Sequence, residues 1–89
     1  MSTNETFQRA VKKDVSRTRR TDAIDSLIER GDATNLAVIV RMGGLSGTFR
    51  RQAIDGLGRC GGDGRDELAG LADDSAIEPS LRERASELS

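Results

Sequence analysis

The sequence predicts an all-α protein, arranged as a short α-solenoid of about two and a half helix pairs behind an N-terminal capping helix. Three observations support this prediction. Apolar residues recur at spacings of three and four, which is typical of amphipathic helices. No hairpin dipeptide lies between alternating apolar and polar runs, so strand signals are absent. Related segments recur every 30 to 32 residues, and two helices per period is typical of an α-solenoid.

The size and composition of the chain fit one small domain. Its 89 residues lie within the range of single domains, and 35% of them are hydrophobic, with Phe7 and Phe49 as the only aromatic residues. The 14 basic and 15 acidic residues leave a net charge of −1. Little self-repulsion therefore opposes collapse, and we expect a folded chain.

Histidine, the commonest general base and the commonest transition-metal ligand, is absent from the sequence, and there is a single cysteine. That cysteine, Cys60, cannot form an intramolecular disulfide or a thiolate zinc site. No Ser-His-Asp set can be assembled, so we expect no enzymatic activity, cofactor or metal. No apolar run of about 18 residues and no signal-peptide pattern is present, so we expect a cytoplasmic protein without a membrane partner.

Three helices are predicted in the first half of the chain. The first spans about residues 4–18, where Thr3 or Asn4 can cap the first turn. The second spans about 22–30, and Gly31 follows it as a residue suited to a left-handed cap. The third, about 33–42, is apolar nearly all round, so it is either central or exposes a contact surface. The β-branched residues at 38–40 leave a strand as the alternative there.

Three more helices are predicted in the second half. The fourth spans about 48–60, after a glycine-rich turn, and Gly61 and Gly62 end it. The fifth is short, about 65–72. The sixth spans about 79–88, and Pro79 suits its first turn because the missing N–H costs nothing there.

An internal repeat relates these helices. The pattern Arg-x-x-Ala-Ile-Asp-x-Leu at 20–27 recurs at 50–57, an offset of 30. A truncated third copy begins at Pro79 and follows the second at an offset of 32. In each copy an acid stands five positions after an arginine. We expect these charges to pair within or between adjacent copies and set their register, with phosphate binding as the alternative. The charges are Arg20 and Asp25, Arg50 and Asp55, and Arg82 and Glu87.

Residues 50–58 and 72–85 resemble HEAT-like repeats, of the short type also found in phycobilisome lyases. The resemblance covers about residues 20–89. It implies stacked antiparallel helix pairs, with repeat 1 at 20–43, repeat 2 at 48–74, a partial repeat 3 at 77–89 and residues 4–18 as a capping helix. It also implies a scaffold that binds other macromolecules, and it gives no reason to expect lyase activity or a bilin. Phe49, where a smaller residue is usual, and the helix glycines Gly56 and Gly58 depart from the pattern.

Other features with conceivable chemistry are interpreted as structural. Cys60 has no neighbouring His, so we expect an inert, semi-buried thiol. The glycine-rich turns at 43–48 and 61–64 lack the Gly-Lys-Ser/Thr ending of a phosphate-binding loop. Asp63 and Asp66 are expected to cap the fifth helix, because the local acidic residues lack the alternate spacing of a calcium loop.

The first functional hypothesis is an adaptor that binds another protein. Solenoids commonly use their surfaces for binding, and the ridge here would be the second helix of each pair, about 33–42 and 65–72. Because solenoids usually need about three repeats, we also expect a homodimer that buries Phe7 or the Val38 face. The residues expected to be exposed and to bind the partner are Asn35, Val38, Arg41, Met42, Arg65 and Asp66.

The alternative hypothesis is a nucleic-acid-binding accessory protein that uses its basic N-terminal helix. The first 20 residues carry six basic and two acidic side chains, a local net charge of +4. An acidic pI of 5.4 and the absence of Trp and Tyr weigh against this alternative. Its candidate residues are Lys12, Lys13, Arg17, Arg19 and Arg20.

Overall fold

The computed structural model describes residues 3–12 and 15–89, with residues 3 and 4 described by their backbone alone. Within these residues the chain forms six helices and no strand, so the all-α prediction is confirmed. The strand alternative at 38–40 is wrong, because these residues form the last turn of a helix. The helices are α1 (Thr3–Val11), α2 (Arg17–Glu29), α3 (Ala33–Val40), α4 (Gly47–Leu57), α5 (Gly61–Ala72) and α6 (Pro79–Leu88).

Several helix boundaries differ from the prediction. The first helix ends at Val11 instead of near residue 18, and α2 begins earlier than expected because Ser16 caps it, accepting a hydrogen bond from the Arg19 N–H at 3.2 Å. The fifth helix begins at Gly61, so the glycine-rich segment 61–64 is helical and not a turn. Asp63 and Asp66 consequently lie inside α5 and do not cap it. The predicted caps Thr3 and Asn4 fall on side chains outside the described part of the chain.

Turn and capping residues lie at the other helix boundaries. Gly31 has a φ of +65°, a conformation that side chains disfavour, and follows α2 as predicted. Gly61 has the same φ, but α4 ends at Leu57 and Gly61 begins α5, so the prediction that Gly61 and Gly62 end the fourth helix is wrong. Asp32 caps α3 by accepting a hydrogen bond from the Asn35 N–H at 3.2 Å. Pro79 occupies the first turn of α6.

The helices pack in two rows. Each odd-numbered helix packs mainly against the even-numbered helix that follows it, and helices of the same parity contact one another in chain order. We call α1, α3 and α5 the odd row and α2, α4 and α6 the even row. One hydrophobic core draws side chains from all six helices, so the apolar stripe of each helix is used. Among the described residues, no helix combines the length and the apolar character required to cross a bilayer.

Equivalent positions join the even row twice. From α4, Gln52 donates hydrogen bonds to the Thr21 carbonyl of α2 at 3.2 Å and to the Asp25 carboxylate at 2.9 Å. From α6, Arg84 stands 32 positions after Gln52 and donates to Asp55 of α4 at 2.9 Å. The acids of the first two copies therefore bind the following even helix.

The predicted pairs of repeat arginines with acids five positions later are wrong. Arg50, only 5% exposed, donates to the Val40 carbonyl at 2.8 Å and pairs with Glu78 at 3.2 Å. Arg20 donates to the Lys12 carbonyl in the same way. Residues five apart on a helix lie about 140° apart around its axis. Arg20 and Arg50 therefore reach carbonyls near the ends of α1 and α3, while Asp25 and Asp55 face the next even helix. In the third copy the acid Glu87 pairs with Arg84.

Candidate functional site

An apolar side chain is exposed at the centre of the odd row. Val38 is 41% exposed and is the only exposed large hydrophobic residue in the part of the chain that the structure describes. Thr34 and Arg41 lie one turn away on either side of it and are also exposed. We call these three residues the α3 surface. The apolar run was expected either to be central or to expose a contact surface; the helix is largely buried in the core, and Val38 is its exposed apolar residue.

Arg41 is held in place by α5 and the turn after it. Its Nε lies 3.2 Å from the Asp74 carboxylate and its Nη1 lies 3.9 Å from Glu67. A Cβ built on Gly70 would lie 3.8 Å from Nη2 of Arg41, so the guanidinium group lies over that glycine. The pKa of Asp74 is lowered, first because its carboxylate accepts the Ala76 N–H and then because it accepts a hydrogen bond from Arg41. Arg41 is thus positioned before any partner binds.

The other residues predicted for this surface divide into two groups. Asn35 and Met42, expected to be exposed, are half-buried, and that expectation is wrong. Asn35 turns back one helical turn and donates its amide to Asp32 at 2.8 Å, while Met42 lies in the turn between α3 and α4. Arg65 and Asp66 are exposed on α5 as expected.

A second candidate site is a groove of about 700 Å³ between α1 and α2. Among the residues that the structure describes, its lining has four basic side chains and one acid, Asp22. Half-buried Val15 and the buried residues Thr6 and Ala23 also line it. We call this site the basic groove, after its basic residues Arg9, Lys12, Arg19 and Arg30.

The structure divides the residues predicted to bind nucleic acid. Lys12 and Arg19 come together in the basic groove. Arg17 and Arg20 instead lie against Phe49, each with its guanidinium carbon 5.2 Å from the ring centroid. Lys13 lies outside the described residues.

Two residues of the basic groove, Arg9 and Arg30, are not among those predicted from the sequence. Arg9 stands three positions before Lys12, so helical spacing could have added it to the set. Arg30 stands at the C-cap of α2, and only the packing of α1 along α2 brings it to the same groove. No signal in the sequence alone would have joined Arg30 to the N-terminal cluster.

Two other grooves carry mixed or acidic charge. A groove of about 470 Å³ between α4 and α6 contains acids beside Arg51 and Arg84. A groove of about 350 Å³ between α3 and α5 contains Asp32, Asp63 and Asp66. Across residues 3–12 and 15–89, no group of three His, Cys, Asp or Glu side chains is arranged to hold a metal ion.

Cys60 is half-buried, as expected for a structural thiol. Its Sγ donates to the Gly56 carbonyl at 3.3 Å. Burial raises the pKa of the thiol, and the nearby charge of Asp32 raises it further. Because the thiolate is the reactive form, this environment disfavours nucleophilic chemistry at Cys60.

The α3 surface and the basic groove are the two places where the described chain exposes unusual chemistry. Comparison of the chain with protein-family models, with curated proteins and with solved structures gives no match. The function therefore has to be inferred from these two surfaces.

Proposed function

We propose that the protein is a non-enzymatic adaptor, a short HEAT-like α-solenoid that binds another protein through the α3 surface. The observation that carries this proposal is the 41% exposure of Val38. Removing the remaining apolar area of such a side chain from water stabilises a complex in proportion to the area buried. A partner that covers Val38 with an apolar side chain would gain this free energy.

The surroundings of Val38 fit a small protein interface. Interfaces typically have an apolar centre and a polar rim, and here Thr34 and Arg41 supply the rim. The ion pairs of Arg41 with Asp74 and Glu67 restrict the side chain before binding, so less conformational entropy is lost when a partner docks. One exposed apolar residue makes a small contact, which is typical of transient partners.

The arrangement of the helices supports the solenoid part of the proposal. Contacts run in chain order within each row, as they do in stacked helix pairs. The two even-row contacts also use positions separated by the repeat length, because Gln52 binds Asp25 and Arg84 binds Asp55. A repeated sequence pattern thus corresponds to a repeated contact.

The proposal is tested by comparing two variants that add the same charge. Val38→Asp places a carboxylate at the centre of the α3 surface, and Thr48→Asp places one at an exposed position of α4. We expect partners cross-linked to the wild-type chain in its native cells to be retained by Thr48→Asp and lost by Val38→Asp. Far-UV circular dichroism would check that both variants keep their helices. Unchanged cross-linking of Val38→Asp would rule out the α3 surface.

The partner that covers Val38 can also be a second copy of the same chain, which would form a homodimer. Phe7, the other residue expected in a dimer, is half-buried against the core, so Val38 is the better candidate. Light scattering at micromolar concentration should give about twice the 9.6 kDa mass of the chain, falling to 9.6 kDa for Val38→Asp. A wild-type mass of 9.6 kDa would exclude the homodimer and leave the adaptor hypothesis to the cross-linking experiment.

A further inference from the structure

The α2 wall of the basic groove occupies positions that form a helix contact elsewhere in the chain. This wall contains Arg19, Asp22 and Ser26. At an offset of 30 they correspond to three residues of α4, namely Phe49, Gln52 and Gly56. All three of these α4 residues contact α2. The groove is therefore the face of α2 on which a preceding even helix would pack.

In the described chain no other even helix covers this face, and its chemistry differs from that of its counterpart. An arginine replaces the phenylalanine, an aspartate replaces the glutamine, and a serine replaces the glycine. Phe49 is 3% exposed, whereas Arg19 is exposed. An apolar helix packed on this face would bury the charge of Arg19, and burying a charge costs free energy unless an opposite charge pairs with it. A polar ligand of opposite charge fits the face instead.

The electrostatics of the groove favour an anionic ligand. Of residues 3–12 and 15–89, four basic residues and one acid line it. Within the described residues, Arg9, Lys12 and Arg19 form no ion pair with an acid, whereas on the even-row surface Arg84 is paired with both Asp55 and Glu87. Unpaired cations along a concave wall raise the local concentration of anionic ligands and strengthen their binding.

The remaining lining favours a polypeptide over a nucleic acid. Half-buried Val15 and buried Ala23 supply apolar contacts, and no aromatic side chain is present on which a base could stack. Asp22 lies among the cations, and a continuous row of phosphates would place negative charge beside it. A polypeptide can place an uncharged or donor side chain there and carboxylates elsewhere.

We propose that the basic groove binds an acidic segment of another polypeptide, with Asp and Glu side chains pairing with Arg9, Lys12 and Arg19. The apolar side chains of such a segment would contact Val15. This proposal does not rest on the α3 surface, which lies on α3 and uses different residues.

The test uses fluorescence anisotropy with three labelled probes. The first is a peptide rich in Asp and Glu with interspersed Leu, the second is its Asn and Gln counterpart, and the third is a single-stranded oligonucleotide of the same charge as the first. The groove variant is Lys12→Gln with Arg19→Gln. Its matched control is Arg51→Gln with Arg59→Gln, which removes the same charge from exposed positions of the α4 region outside the groove.

We expect the acidic peptide to bind and its neutral counterpart not to bind. The groove variant should weaken binding at least tenfold, and the control should change it less than twofold. Raising the salt concentration should also weaken binding, because salt screens exposed charges. Val38→Asp should leave peptide binding unchanged, so failure of the adaptor hypothesis would not affect this result.

Three outcomes would overturn the proposal. The first is that the acidic peptide fails to bind. The second is that the control variant loses as much affinity as the groove variant, which would show only a general effect of charge. The third is that the oligonucleotide binds more tightly than the peptide, which would assign the groove to nucleic acid. Lys12 and Arg19 are both exposed, so the groove variant should fold, and equal thermal unfolding midpoints would verify this. The single variant Arg19→Gln provides a milder second measurement, with an expected loss of a few-fold.

Discussion

The two contacts within the even row, α2 with α4 and α4 with α6, use equivalent positions with different chemistry. At the first contact, Phe49 is buried and its ring lies against the guanidinium groups of Arg17 and Arg20. Gly56 also lets the α4 backbone approach Ile28, because a Cβ at this glycine would overlap that side chain. This contact is close and combines the buried ring with cation–π contacts and the hydrogen bonds of Gln52.

At the second contact, leucines take the places of the phenylalanine and the glycine. These are Leu81, which is 5% exposed, and Leu88, which is half-buried. Arg84 forms an ion pair with Asp55 at 2.9 Å, and both side chains are partly exposed. The same register thus carries a neutral hydrogen-bond donor, Gln52, at the first contact and an ion pair of Arg84 with Asp55 at the second. The second contact should respond more strongly to salt, because screening weakens an exposed ion pair.

The largest effect is expected from Phe49→Ala, which removes the aromatic ring from the first contact. We expect a loss of about 3–5 kcal/mol in the free energy of unfolding, because a buried ring leaves a cavity and the cation–π contacts of Arg17 and Arg20 are also lost. Urea unfolding followed by circular dichroism measures it, since the chain has no Trp or Tyr. Phe49→Leu, which copies the second contact, should lose less. Equal losses for the two variants would contradict the importance of the ring.

The glycines of α4 should respond differently to alanine. At Gly56 the new Cβ would overlap Ile28, so Gly56→Ala should cost about 1–2 kcal/mol despite the better helix propensity of alanine. At Gly58 the nearest atom would be the Asp55 carbonyl oxygen at 3.3 Å, so Gly58→Ala should change stability by less than about 1 kcal/mol. Both variants can be measured by urea unfolding.

Combining Gly56→Ala with Ile28→Ala tests whether overlap with Ile28 causes the stability loss expected for Gly56→Ala. The double variant should be more stable than the sum of the single effects predicts, because the shortened side chain leaves room for the new methyl group. Strict additivity would show that the close approach of α4 to Ile28 is not what requires glycine.

The part of the fold that follows from local patterning was predictable. Gly31 and Pro79 marked helix ends because their backbone preferences are intrinsic. Val38 was predictable as an exposed residue because α3 is apolar on more sides than one core contact can cover. The cap at Ser16 was not predicted, so the first helix was predicted to extend past its actual end.

The part that depends on three-dimensional packing was not predictable. The pairing of Arg50 with Glu78 depends on the turn after α5 passing near the start of α4, which no sequence spacing reveals. Arg30 reaches the basic groove only because α1 packs along α2. The repeat shows that Arg19 is equivalent to Phe49. That Arg19 therefore lies on an uncovered packing face of α2 follows only once the contact of Phe49 with α2 is known.

A smaller effect is expected from Arg84→Gln at the second even-row contact. The variant should be less stable than the wild type at low salt, since Arg84 loses its ion pairs with Asp55 and Glu87. The difference should shrink in high salt because exposed ion pairs are screened. Gln52→Leu at the equivalent position of the first contact removes only neutral hydrogen-bond donors. Its effect should depend less on salt, and an equally salt-dependent effect there would contradict the distinction between the two contacts.

The smallest effect concerns the odd row, where Asp74 joins the turn after α5 to Arg41 of α3. Its pKa is lowered in the folded chain, first by the Ala76 N–H and then by Arg41. A lowered pKa stabilises the folded chain above the unfolded-state value of about 3.9, and this stability is lost as the pH falls through the folded-state value. Asp74→Asn should therefore destabilise the chain at neutral pH, and the difference from wild type should vanish in acid. Asp73→Asn removes the same charge at a neighbouring exposed position and should destabilise the chain less at neutral pH. An equal loss would mean that general charge, and not the contacts of Asp74 with Ala76 and Arg41, explains the effect.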